Sequence, residues 1–235
     1  MASFDRLIET RWAYAVLGAL VFLLALPGLF ALPTLDRDEG RFAEASSEMM
    51  ESGDYVVIRY HDELRNKKPV AIHWFQSAAV SAGSGPGERN IAEYRLPSML
   101  GAILAAIGTL WAGGALFNRR AAFIGALLIG TTLLLTTEAN IAKTDAAQCG
   151  ILVLGMGALA HMRAGTGTKW HGVLFWVCLS LGVLLKGPMA LGGEVLLGPC
   201  ACLEVGGVLI GVASQKVQVL DLELLRFLGI EPERM

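Results

Sequence analysis

Charge is scarce in this 235-residue chain. Asp, Glu, Lys and Arg make up 17 % of it, while 54 % is hydrophobic and the mean hydropathy is +0.54. A soluble globular domain carries about 25 % charge. The shortage excludes a soluble nucleotide-binding enzyme and a disordered tail. An excess of one sign is lacking too. The formal net charge of −2 provides no basic field for nucleic acid. Cysteine is rare: Cys149, Cys178, Cys200 and Cys202 all fall in apolar stretches. They read as small buried hydrophobes rather than a disulfide or metal frame. The four histidines, His61, His73, His161 and His171, show no ligand spacing and read as interfacial residues. No internal repeat is present.

What the chain does have is long uncharged runs. Residues 12–35 contain no charge, and about 20 helical residues cross the hydrocarbon core of a bilayer. The apolar region of a secretory signal is shorter, about 7–15 residues, so this run is a span. Arg6 and Arg11 precede it, Trp12 and Tyr14 suit its interface, and Pro27 is a candidate kink. Further spans are expected near 96–117, 121–137, 146–162 and 170–186. The expected fold class is all-α integral membrane, a multi-span helical bundle.

About half of the charged residues fall within 35–95. Inside that loop, 36–54 reads as an amphipathic helix on the membrane surface. Asp36 and Glu39 have capping-box spacing, Phe42, Ala45 and Met49 share a face, and Gly53 is a C-terminal stop. Residues 70–84 are apolar but short for a span and contain His73 and Gln76. Basic loops mark the cytoplasmic side. If 70–84 does not span, Arg119, Arg120, Arg163 and Lys169 all fall on the side of Arg6 and Arg11. The 70–84 segment is therefore expected to be interfacial or re-entrant, and loop 35–95 external. Loop 138–145 and the corner at Lys186-Gly187-Pro188 then share that external face. Beyond 190 the pattern decays into glycine-crowded short runs, with one amphipathic helix expected over 216–228. Residues 191–235 read as an atypical tail, truncated or frame-shifted.

Chemistry concentrates at Asp36-Arg37-Asp38-Glu39-Gly40-Arg41. Asp-x-Asp invites a metal and nucleotide-sugar reading. That chemistry needs an alternating strand-helix domain, which the pattern lacks. Asp38 and Arg41 share a helix face at i, i+3. A carboxylate there can orient or deprotonate a nucleophile, and an arginine can grip phosphate bidentately. The plainer alternative is a solvated helix start in which Asp36 and Asp38 compete as caps. Lys67-Lys68-Pro69 before a helix is either an anion site or a snorkelling lysine pair. Asp145 and Lys186 each end an apolar run, so each is an interface residue or serves a site.

Taken in order, Asp38–Glu44 (Asp-Glu-x-Arg-Phe-Ala-Glu), Ser52–Tyr55, Lys67–Pro69, Tyr94–Ser98, Asp145 and Leu185–Pro188 resemble one family. It is the aminoarabinose-transferase-like and protein-mannosyltransferase-like membrane glycosyltransferases, of GT-C type. The resemblance covers about residues 10–190, which would form the N-terminal part of such a transmembrane domain. It implies interfacial helices in the first external loop. It also implies transfer of a sugar from a polyprenyl phosphate carrier to a lipid, glycan or protein acceptor outside the cytoplasm, with lipid A modification among the roles. The partners implied are that donor, the acceptor and membrane lipid. The location implied is a bacterial inner membrane, crossed several times.

By resemblance Asp38 matches the catalytic carboxylate, and Arg41, Lys68 and Lys186 are substrate-binding candidates at the donor phosphate. Glu39, Lys67 and Asp145 support the site. The family often has Glu where this chain has Lys67, and that Glu helps to hold a divalent ion; Asp145 matches the other acid and is the candidate metal ligand. No other cofactor is implied. The alternative is a truncated, non-catalytic membrane protein or assembly partner derived from that family.

Overall fold

The computed structural model of the protein describes residues 8–34, 37–61, 63–65, 68–85 and 90–188. Asp36, Lys67, Cys200, Cys202, the tail from 191 and the helix expected over 216–228 lie outside the described residues. Among the described residues, these elements follow in order: α1 (Trp12–Ala31), α2 (Arg37–Ser52), β1 (Arg59–Tyr60), β2 (Glu63–Leu64), α3 (Ala71–Ala82), α4 (Ile91–Leu116), α5 (Arg119–Gly130), α6 (Leu133–Ala139), α7 (Asp145–Arg163) and α8 (Lys169–Lys186). The two short strands pair antiparallel, Tyr60 opposite Glu63.

Helices α1, α4, α7 and α8 are each long and apolar enough to cross a membrane, and α1 continues through Pro27. At 12 residues and about 1.5 Å per residue, α3 is too short to span.

The stretch expected as one continuous span over 121–137 is instead two helices, α5 and α6, bent by 57°. Thr131 and Thr132 sit at the break. Their hydroxyls donate to the Leu127 and Ile129 carbonyls at 2.8 and 2.9 Å, so side chains there compete with the helical ladder. The pair nevertheless crosses the whole bundle. Arg119, at its start, donates to the Ile8 carbonyl at 3.0 Å and to the Tyr14 hydroxyl at 3.1 Å. Gly130 lies against Val21, and Asn140, just past α6, lies against Gly28. Its ends therefore match the two ends of α1.

The tightest packing is between α4 and α7. A Cβ on Gly101 would stand 2.4 Å from the Ala146 carbonyl oxygen, and one on Gly150 would stand 2.3 Å from the Gly101 carbonyl oxygen. In lipid, helices gain little from hydrophobicity against one another, so small residues that let backbones touch supply the cohesion. Ala102, Ala105 and Ala106 of α4 and Ala146 of α7 fill the same core.

All the charge-bearing elements of the long loop lie at one end of this bundle. Helix α2 stops where expected, with Gly53 at φ +70°, a conformation costly for other residues. Its apolar face, however, does not rest on lipid. Phe42 packs with Ile72, Ala147, Ile151 and Leu185, while Ala45 and Met49 pack with Ile58. The capping-box role expected for Glu39 is likewise replaced: Glu39 is fully buried. The loop helix is an integral layer over the bundle's end.

Candidate functional site

The end of α1 has carbonyls without helical donors, as every helix end does. Arg95, on the first turns of α4, brings donors to that end. Its guanidinium donates to the carbonyls of Gly28, Leu29, Leu32 and Pro33 at 2.8–3.2 Å. The same group meets the Glu39 carboxylate bidentately, Nε to Oε1 at 2.7 Å and Nη2 to Oε2 at 3.2 Å. Glu39 Oε1 also accepts the Ala142 N–H at 3.0 Å. Both side chains are buried, at 1 % and 0 % exposure. One ion pair thus joins the end of α1, the start of α2, the start of α4 and the turn that precedes Asp145. Arg95 does not stand out in the sequence motifs as a site residue. The signal was there: a lone cation one residue before an uncharged run.

Asp38 lies one peptide from Glu39 but faces outward. Its carboxylate meets Arg41 at 3.4 Å across one helical turn, with side chains 54 % and 34 % exposed. A third charge, outside every motif of the sequence, lies beside them. Arg65 stands just after β2, its N–H bonded to the Ile58 carbonyl at 2.8 Å. Its guanidinium lies 5.3 Å from the centre of the Phe42 ring and 5.7 Å from that of Tyr60. Partial burial lowers its proton affinity below the usual arginine range; the nearby Asp38 carboxylate opposes that shift and the Arg41 cation adds to it.

The other expected residues meet at the neighbouring corner. Asp145 opens α7 and Lys186 closes α8, and they form an ion pair. Gly187 follows, and a Cβ there would touch the Pro69 ring at 4.0 Å. Lys68 is therefore next in chain to a residue that touches the α8 corner. The structure brings the expected residues to one end of the bundle as two pairs, Asp38–Arg41 and Asp145–Lys186. The Glu39–Ala142 bond and the Pro69–Gly187 contact connect their elements.

Between these lies a buried polar network. Ser46 Oγ is 2.8 Å from His73 Nδ1, 2.7 Å from Gln76 Oε1 and 2.9 Å from the Phe42 carbonyl oxygen. The Gln76 amide nitrogen donates to the Tyr94 and Ala142 carbonyls, which fixes Oε1 toward Ser46. Ser46 has one proton and two oxygens that can only accept it, so His73 Nδ1 must donate to Oγ. His73 Nε2 is then a bare lone pair, buried without a partner. Burial, chiefly, and then the Arg65 charge push its pKa down to about 4, against a raising contribution from the Phe42 carbonyl. His73 is therefore not an interfacial histidine but a neutral core residue. His161 and His171 are only partly buried. Their rings lie 4.7 and 5.7 Å from that of Trp111, at the opposite end of the bundle.

The donor set does not fit a divalent cation. Among the described residues no three His, Cys, Asp or Glu side chains gather, and Asp145 faces a lysine. A cleft of about 440 Å³ runs along the other side of α2, lined by residues that include Thr34, Glu44, Ser47 and Tyr94.

Comparison with known proteins follows the same division of the chain. Undecaprenyl phosphate-alpha-4-amino-4-deoxy-L-arabinose arabinosyl transferase of Aeromonas salmonicida (strain A449) is 30 % identical over 80 % of this chain and 34 % of its own length. The protein of the same name from Enterobacter sp. (strain 638) is 29 % identical over 84 % of this chain and 35 % of its own. The chain spans about a third of the length of these relatives. Among solved structures, ArnT from Cupriavidus metallidurans bound to undecaprenyl phosphate matches with a TM-score of 0.70 at 22 % identity, over 94 % of this chain and 43 % of that one. Its apo form matches at 0.69. Residues 179–235 match a different family model, described as MlrC C-terminus, which begins within α8 and covers about a quarter of the chain. Over four fifths of its length, the chain is related to the aminoarabinose-transferase-like membrane glycosyltransferases and shares their all-helical, multi-span membrane fold.

Proposed function

We propose that this chain carries the catalytic first loop of a glycosyltransferase that moves a sugar from a polyprenyl phosphate carrier to a lipid, glycan or protein acceptor. The observation that carries the reading is the pairing of Asp38 with Arg41 beside a bundle end that also holds Asp145, Lys186 and the Lys68-Pro69 turn. The structurally similar ArnT from Cupriavidus metallidurans binds undecaprenyl phosphate, a polyprenyl phosphate of the expected kind.

In the reaction the acceptor oxygen attacks the anomeric carbon. The bond from that carbon to the phosphate oxygen breaks, and its electron pair stays on the phosphate. The acceptor proton passes to Asp38, which is exposed and so able to reach a bound hydroxyl. Arg41, Lys68 and Lys186 are the cations available to stabilise charge growing on the leaving phosphate. Glu39 and Arg95 hold the backbone that presents Asp38.

The reaction runs on the non-cytoplasmic face of a bacterial inner membrane. Arg119, Arg120, Arg163 and Lys169 gather at the other end of the bundle, which fits that orientation.

The test is sugar transfer by the purified chain in sealed vesicles of known orientation, with undecaprenyl phosphate-linked aminoarabinose as donor. Transfer should occur only with donor on the face that bears loop 35–95, and Asp38→Asn should slow it about 10²–10⁴-fold. Equal rates for Asp38→Asn and wild type at matched abundance would remove Asp38 from the mechanism. Absence of transfer by wild type would favour the non-catalytic alternative.

A further inference from the structure

Arg65 is a cation at the first loop that neither the sequence motifs nor the comparisons assign. It is held more firmly than a surface arginine. Its backbone closes the β1–β2 hairpin through the Ile58 carbonyl, and Ile58 is buried. Its guanidinium lies over the Phe42 and Tyr60 rings, and Phe42 is itself fixed in the core and lies 5.6 Å, ring to ring, from buried His73. Cation–π contact and a pre-set rotamer reduce the entropy lost when such a group grips a ligand. Phe42 is also the next residue after Arg41, so the two guanidinium groups share the start of α2 with Asp38. Two cations and one carboxylate leave the trio with a net charge of plus one.

We infer that Arg65 is a second phosphate-binding arginine, one that makes this site select a dianionic phosphate monoester over a monoanionic phosphodiester. The inference deepens the proposed transferase reading and rests on it for the identity of the carrier.

The charges balance along the reaction. The donor is a phosphodiester with one negative charge. When the carbon–oxygen bond breaks, the electron pair remains on the phosphate, which becomes a monoester dianion. The acceptor proton meanwhile neutralises Asp38, so the trio goes from one positive charge to two as the phosphate goes from one negative charge to two. Within the trio, Arg41, paired with Asp38, would meet the donor. Arg65 supplies the charge that matters only as the leaving group forms, which is where catalytic stabilisation counts.

The test compares undecaprenyl phosphate with its methyl phosphodiester, bound to the full chain in lipid nanodiscs at pH 8. There the monoester is a dianion, its second pKa being about 6. Wild type should bind the monoester on the order of tenfold more tightly than the diester, the scale of one charge-assisted bidentate contact. Arg65→Gln should bring that ratio close to one while leaving diester affinity within about twofold. Arg65→Lys, which keeps the charge but loses the planar fork, should restore part of the ratio.

A wild-type ratio kept in Arg65→Gln would overturn the assignment. So would equal loss of both ligands, since that marks a collapsed hairpin rather than a lost charge. Inorganic phosphate and dimethyl phosphate serve as water-soluble probes in the same assay. If wild type binds neither lipid but shows the Arg65-dependent ratio with these, the polyprenyl carrier reading fails and the Arg65 assignment stands. If it shows the ratio with no probe, both fail.

Discussion

Asp38 and Glu39 are adjacent carboxylates on one helix, and they live in different media. Glu39 points into the bundle, where it meets Arg95 in a bidentate pair and takes an amide from the α6–α7 turn. Asp38 points out and meets Arg41 at 3.4 Å in reach of water. Two adjacent acids that read alike in sequence therefore have opposite duties. The inner pair is fully desolvated, so its worth lies in geometry: breaking it leaves a bare charge in the core. The outer pair is exposed and screened, so it contributes little to stability and stays within reach of a ligand.

The sharpest way to break the comparison is at Arg95. Arg95→Ala removes a donor from four carbonyls at and just past the end of α1 and the cation from the Glu39 carboxylate. It should lower stability by about 3–5 kcal/mol, the usual cost of orphaning a buried charge. Thermal unfolding in detergent reads this directly. The double variant Glu39→Gln/Arg95→Met should recover part of the loss, because no uncompensated charge remains. If Arg95→Ala melts like wild type, the inner pair does not hold this end together.

His73 provides the next largest effect, through pH. Its folded pKa of about 4 lies below the unfolded value near 6.5. The unfolded chain therefore binds the extra proton, and stability falls as pH drops from about 6.5 toward 4. The loss across that window is roughly 3 kcal/mol. His73→Asn keeps a donor near the Nδ1 position and cannot titrate. Its stability should be flatter across the same window, by equilibrium unfolding at stepped pH. An unchanged slope would mean that His73 is not the group responsible.

The smallest effect should come from the outer pair. Arg41→Gln or Asp38→Asn should change stability by no more than about 0.5–1 kcal/mol, even where Asp38→Asn stops transfer. A loss as large as that of Arg95→Ala would make Asp38–Arg41 a structural pair and weaken the case for its catalytic role.

Much of the architecture follows from local patterns. The uncharged runs mark α1, α4, α7 and α8 because a bilayer demands about 20 apolar residues whatever packs around them. The periodicity of Phe42, Ala45 and Met49 shows that α2 has a buried face, and Gly53 ends it. Neither pattern says what covers that face, since lipid and a neighbouring helix ask for the same apolar side chains. Hence α2 reads as a surface helix and is in fact packed on α3, α7 and α8. The break at Thr131 and Thr132 is equally silent in hydropathy, because threonine is neutral enough to pass within a span.

The sequence by itself determined that this chain is a helical membrane protein with a charged loop, and which residue types that loop offers for chemistry. Composition and run length are enough for that, because they are sums over residues and need no partner. Only the tertiary structure decided which of two adjacent acids faces water. It decided that Arg95 is a buried tie, that His73 is neutral core, and that Arg65, 24 positions after Arg41, stands beside it. Burial and charge pairing depend on what another segment brings into contact, and that information is in no single stretch of the chain.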